Sequence, residues 1–259
     1  MQFFDLFTND ISPSTPVPKQ RLSSYLTIAV ISAGLLTLSA CGDSDNNNII
    51  GDSDNNDAIY NITVYNITSG QPLTPLGVVI HEPAYIPWQP GTAVSIGLER
   101  LAESGDTSGF LSEANADPAV VISTSSSNGP FGPGSSETVS ITVDHSSNLQ
   151  LTIASMLANT NDAFTGVHNW NIGELAVGDN TSTMARVYDA GTEANSETAA
   201  SMPGPAAMGE GFNSDRNDLD RLTIHGGVVT TDDGLMTSAL NESHRWLGQA
   251  AKIVVTRTQ

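Results

Sequence analysis

Beyond residue 57 the apolar positions alternate with polar ones more often than they recur at helical spacing. Residues 59–68, IYNITVYNIT, set Ile59, Asn61, Thr63 and Tyr65 on one face and Tyr60, Ile62, Val64 and Asn66 on the other. That period of two, in β-branched residues, predicts an opening β-strand. Residues 77–81 form a short apolar run, read as a buried strand ending before Pro83. The proline-rich segment EPAYIPWQPG that follows excludes helix and central strand. Residues 94–104 carry Val94, Leu98 and Leu101 at helical spacing, with Glu99, Arg100 and Glu103 opposite and Gly105 as the stop. Residues 115–121 are expected to add a turn and a short strand, and 123–136 a polar loop. Residues 137–144 alternate through Val139, Ile141 and Val143, and 149–157 through Leu149, Leu151 and Ile153, so the pair reads as a hairpin closed at 145–148. Shorter strands are expected at 164–172, 185–188 and 221–225, a long loop over 190–220, and a closing strand at 251–256. Many short strands and one short helix predict a mainly β fold, a two-sheet antiparallel β-sandwich with long loops over residues 58–259. Its first and last strands, around Ile59 and Ile253, are candidates to pair.

The chain ahead of this domain follows a different pattern. After Lys19 and Arg21, residues 22–38 are apolar or small and uncharged, and they run into Leu38-Ser39-Ala40-Cys41. A short positive region, an apolar core and small residues before a cysteine make a signal peptide over 1–40 with a lipobox. Cys41, the only cysteine, would carry the lipid. Residues 41–57 repeat the hexapeptide GDSDNN at Gly42 and Gly51, and read as a disordered, solvated tether. An EF-hand-type loop there is excluded, because Asn48 stands where glycine is needed and no glutamate closes the loop. These features predict a lipid-anchored protein of the bacterial cell envelope, with the outer membrane favoured because Gly42 follows the cysteine. The partners expected are the membrane, through the lipid on Cys41, and an extracellular protein or glycan.

Charge sharpens the picture. The formal net charge is −19, and the leader's Asp5, Asp10, Lys19 and Arg21 cancel, so the acidity belongs to the exported part. Such a surface repels nucleic acid and anionic lipid and attracts divalent cations. With no further cysteine for disulfides, the fold is expected to stand on its core, with a bound metal as a candidate assistant. The pattern N-x-S/T at Asn61, Asn66, Asn180 and Asn241 is read as chance in an Asn- and Thr-rich chain.

Two segments carry candidate chemistry. One runs from a strand through a polar turn to Asp162. The other, Asp189-Ala190-Gly191-Thr192-Glu193, sets two carboxylates around a glycine that permits a tight bend. If their loops are neighbours, Asp162, Asp189 and Glu193 converge, and such anions need a cation between them. Oxygen ligands without thiolate or paired histidine select Ca²⁺, or Mg²⁺, over zinc. Taken by spacing alone, the same acids also fit solvated loop positions. No H-E-x-x-H, G-x-S-x-G or phosphate-loop motif is present. His168 invites comparison with a metal hydrolase but lacks a second histidine at fixed spacing. His81-Glu82 and Asp144-His145 read as structural. Tyr85, Trp88, Trp170 and Trp246 are a weaker candidate for a sugar site.

The segments SMLANTND, Phe164-Thr165-Gly166-Val167 and above all DAGTE at 189–193 resemble the spondin domain of extracellular matrix proteins, which also occurs in bacterial secreted proteins. PLGVVIHE and SIGLERLAESGD fit the same family, and the likeness spans roughly residues 58–257. The resemblance implies a β-sandwich related in shape to C2 domains, with a calcium site at one end. It assigns Asp162, Asp189 and Glu193 as the ligands. Glu193 is a longer side chain than the aspartate common at the last position, and the disulfides of animal members are missing. A non-enzymatic binding module for adhesion or partner recognition is therefore expected. A metal-dependent hydrolase using the same acids and His168, or an envelope protein without ligand, are the alternatives.

Overall fold

The alternating segment that opens the domain forms strand β1 (Asp57–Asn66), with Tyr60, Ile62 and Val64 buried. The computed structural model describes residues 56–259. The expected signal peptide and lipobox with Cys41, and nearly all of the expected tether, lie outside the described residues. After β1 come β2 (Gly77–His81), α1 (Ile96–Ser104), α2 (Ser108–Asn115), β3 (Val120–Ser125), β4 (Ser136–Asp144) and β5 (Gln150–Met156). The chain continues through β6 (Ala163–Asn171), β7 (Asn180–Asp189), β8 (Thr223–Ile224) and β9 (Gln249–Arg257).

The strands follow one antiparallel path, β3-β2-β5-β6-β7-β9-β1-β4, with β8 beside β7. The fold is mainly β and sandwich-like, as the pattern predicts. The first and last strands pair, with Val64 opposite Ile253. The expected hairpin does not form. β4 lies at one edge against β1, whereas β5 sits between β2 and β6. All seven residues of β5 are buried, which calls for a central position covered on both faces. Leu151 and Ile153 enter the main core with Tyr60, Ile62, Val187 and Ile253, while Ala154 faces a second core under the helices.

That second core packs Leu98, Leu101 and Phe110 against Val79, Phe164, Tyr188 and Trp88. It needs two helices, not the single one expected. Ser95 caps α1 by accepting from the Leu98 N–H at 3.2 Å. Glu113 of α2 adds bonds from the Gly97 N–H (2.8 Å) and the Ser95 hydroxyl (2.5 Å). Gly97 and Gly109 let the helices touch backbone to backbone, since a Cβ on Gly109 would stand 3.0 Å from the Gly97 Cα. α2, sequence SGFLSEAN, is short and polar, and only this docking identifies it.

The ladder has two distinct ends. At one, Asp57 pairs with Asp144 where the chain enters the domain. At the other, Tyr65 pairs with Ser136, Asn66 with Ala251, and Arg186 with Gln249, so the ends of β1 and β7 and the start of β9 lie together. About ten residues of strand at ~3.3 Å each separate the two ends by roughly 30 Å. The loop after β5, the 190–222 loop and the 242–248 segment belong to the end away from the chain entry.

Candidate metal centre

Where β5 ends, the chain turns sharply. The Thr160 hydroxyl donates to the Leu157 carbonyl (2.7 Å) and accepts from the Ala163 N–H (3.1 Å). This local bonding, typical of Ser/Thr turns, swings Asp162 inward, where it is fully buried. β7 ends beside it: Ala163 is paired with Asp189, and the Ala190 N–H donates to the Asp162 carbonyl at 3.2 Å. The chain then bends at Gly191, whose φ is 72°. A side chain there would be strained by that angle and would collide with the Arg221 backbone.

The bend delivers three donors to one oxygen. Asp162 Oδ2 accepts from the Thr192 N–H (2.8 Å), the Thr192 hydroxyl (3.3 Å) and the Glu193 N–H (3.1 Å). Asp162 Oδ1 is buried without a partner, and so is Glu193 Oε2. Asp189 stands at the rim, with Oδ1 accepting from the Gly191 N–H (2.8 Å) and Oδ2 from the Asn195 amide (2.6 Å). The structure thus brings the loops of Asp162, Asp189 and Glu193 to the same end of the ladder.

Sequence reasoning missed a further acid, Glu103. The helical pattern placed Glu99 and Glu103 on a polar outer face, yet both are 1% exposed because the 190–222 loop folds over α1. Glu99 is neutralised by Arg216 at 2.7 Å, and Arg216 also binds Asp220 and the Val94 carbonyl. Glu103 has no such partner. Its Oε2 accepts from the Asn213 N–H at 2.9 Å, and its Oε1 is buried and unbonded. The spacing of Glu99 and Glu103, one helical turn apart, is the only trace of this in the sequence, and it is equally a mark of a solvated face.

Electrostatics place these groups in one field. Burial, then the Asp189 charge, pushes Asp162 up to about 7, against the pull of its backbone and hydroxyl donors. Burial, then the charges of Glu103 and Asp162, pushes Glu193 up to about 8. Glu103 is raised chiefly by burial, opposed by the nearby Thr192 hydroxyl and by the Asn213 N–H. Carboxyls so displaced hold protons near neutral pH unless a cation takes their place. The coordination shell is not closed: among the described residues, no three His, Cys, Asp or Glu side chains stand together in ligating geometry. The donor set nevertheless fits a hard cation, with unbonded carboxylate oxygens on Asp162, Glu193 and Glu103 and no sulfur.

The other candidates lie elsewhere. His168 packs edge-on against Trp88, with ring centres 5.0 Å apart, in the helix-covered core. His225, which the sequence did not single out, is linked to Asp189 through the Asn195 side chain. His81 is fully buried between the Thr152 hydroxyl and the Glu82 carbonyl, each at 2.8 Å, a structural role. His145 meets Arg257 at 3.2 Å, at the chain-entry end. The four aromatics do not form one surface: Tyr85 and Trp88 belong to the second core, Trp170 and Trp246 to the first. A cavity of about 780 Å³ lined by Ile67, Glu242, Arg245, Trp246 and Leu247 includes none of the four acids Glu103, Asp162, Asp189 and Glu193.

A sandwich-like antiparallel fold with a buried acidic loop cluster at one end defines the class of protein. The chain matches the Spondin_N family over residues 67–207, more than half its length, and belongs to that family. The match includes Glu103, Asp162, Asp189 and Glu193, while all of β1, β8 and β9 fall outside it. No curated protein matches the chain.

Proposed function

We propose that this domain is a calcium-binding module, tethered to the cell envelope through a lipid on Cys41, which recognises an extracellular protein or glycan. The observation that carries the reading is the set of unpartnered buried oxygens, Asp162 Oδ1, Glu193 Oε2 and Glu103 Oε1. Buried carboxylate oxygens are normally satisfied, and three without donors, on α1 and the loops against it, are relieved by protons or by a cation shared between them. Asp162, Glu193 and Glu103 would hold it, with Asp189 at the rim. The ion would neutralise acids that otherwise repel, and so fix the loop after β5, the 190–222 loop and α1 relative to one another. Calcium suits an all-oxygen set of flexible geometry better than Mg²⁺, which demands a stricter octahedron. Extracellular calcium modules bind with dissociation constants on the order of 10⁻⁴ to 10⁻³ M.

A binding role is favoured over the hydrolase alternative because His168 sits partway along β6, toward the chain-entry end from Asp162, and packs against Trp88. The cluster lies at the end of the ladder opposite Asp57. Calcium titration of the full-length chain by calorimetry, beside a double variant Asp189→Ala, Glu193→Ala, tests the metal. Saturable binding by the wild type alone supports it, and no binding by the wild type ends it. Cys41→Ser tests the anchor: the variant should leave the membrane fraction, and one that stays there with the wild type would refute the lipid.

A further inference from the structure

Asp189 differs from the acids around it. Asp162, Glu193 and Glu103 each keep one buried oxygen unbonded, whereas both Asp189 oxygens are held, by the Gly191 N–H at 2.8 Å and the Asn195 amide at 2.6 Å. Asn195 is fixed in its turn. Its Oδ1 faces His225 Nε2 at 3.2 Å, and His225 Nδ1 accepts from the Gly227 N–H at 3.0 Å. An Nδ1 that accepts leaves the ring proton on Nε2, so His225 donates to the Asn195 carbonyl. That donation directs the Asn195 NH₂ toward Asp189.

His225 is itself anchored. It is 5% exposed, its N–H donates to the Val187 carbonyl at 3.0 Å, and its ring lies 5.1 Å from that of Trp246. A relay of donors therefore runs from a buried imidazole through a side-chain amide to a carboxylate. Each carboxylate oxygen has two acceptor directions. The Gly191 and Asn195 bonds occupy one on each oxygen, and leave one on each free.

Resting on the calcium reading above, we propose that Asn195 and His225 are positioning residues of the cation site: they hold the Asp189 carboxylate at one orientation, with its free acceptor directions presented to the ion. Groups that orient ligands in this way typically contribute 10- to 100-fold to metal affinity. Asn195 stands at the surface, so truncating it opens no core cavity.

The test is calorimetric titration of the full-length chain with CaCl₂, paired with melting in chelator, on the wild type, Asn195→Ala and His225→Gln. Asn195→Ala should weaken calcium about 10- to 100-fold while melting like the wild type without metal. His225→Gln keeps an N–H donor for the Asn195 carbonyl and should retain more affinity than Asn195→Ala. Wild-type affinity in Asn195→Ala would overturn the inference and leave the metal site standing. A metal-free melting point lowered in step with affinity would also overturn it, since that marks a structural role. A wild type that binds no calcium would remove the calcium reading, and this inference with it.

Discussion

The backbone N–H of Glu193 donates to Asp162 Oδ2 at 3.1 Å, so the acid closing the DAGTE turn hangs from the acid that ends the preceding loop. The two carboxylates are locked as neighbours by main-chain geometry, whatever their charge. Three donors on one Asp162 oxygen stabilise its anion, yet burial and the Asp189 charge outweigh them. Closeness is fixed by the fold, and the electrostatic cost remains for a proton or a cation to relieve.

That cost has a definite sign with pH. Asp162 rises from 3.8 to about 7 and Glu193 from 4.5 to about 8 on folding, so between these limits the folded chain binds more protons than the unfolded one. The stabilisation is then fully present below the unfolded values and is lost as pH rises through the folded ones. Metal-free melting temperatures should fall from about pH 4 to about pH 8 and then level off. Saturating calcium should flatten or reverse the decline, because it stabilises the ionised forms. A metal-free melting point that climbs through this window would contradict the assignment.

Glu103 offers a cleaner probe, since its Oε1 has no partner and its Oε2 a single backbone donor. Glu103→Gln removes one buried charge and keeps the shape. Without metal the variant should melt above the wild type at pH 8, where the acids are most ionised. With metal the order should invert, because a ligand has been lost, and calcium should bind roughly tenfold or more weakly. If affinity is unchanged, Glu103 is not part of the shell.

Glu197 tests burial without a metal role. It is 1% exposed, its Oε1 accepts from the Val229 N–H at 3.2 Å, and its Oε2 has no partner. Burial raises its pKa, opposed by that one N–H. A raised carboxyl loses its stabilisation as pH rises, so Glu197→Gln should melt progressively above the wild type from about pH 4 upward, with or without calcium. A gap that closes as pH rises would contradict the raised carboxyl, and one that depends on calcium would place Glu197 among the cation's neighbours.

Much of this was legible along the chain because strand alternation is a one-dimensional signal. β1, β2 and β9 follow from it directly, and the local chemistry of Asp162 and of the 189–193 turn pointed to the candidate site; the pairing of β1 with β9 was an expectation of the fold class and not of the alternation. Pairing partners are not a local signal. The stretches 137–144 and 149–157 read as a hairpin, and only the burial of β5 on both faces places β4 across the domain from it. Glu103 was missed for a related reason. A helix face looks solvated until a distant segment covers it, and here the cover is the 190–222 loop, pinned by Arg216 to Glu99. His225 likewise reaches the site through Asn195, a relation no spacing encodes.

Gly191 links backbone geometry to the site. Its φ of 72° and the close approach of the Arg221 backbone leave no room for a Cβ. Gly191→Ala must either strain this residue or move the turn, at an expected cost of about 1–3 kcal/mol. A shifted turn also withdraws the Thr192 and Glu193 N–H groups from Asp162, so calcium affinity should fall together with stability. Gly166→Ala provides the contrast. Its Cβ would collide with the Ile153 carbonyl between β5 and β6, within the sheet and apart from the acids. It should lower the melting point comparably, yet the molecules that remain folded should bind calcium as the wild type does. Equal effects of the two substitutions on affinity would mean that the turn has no special relation to the ion.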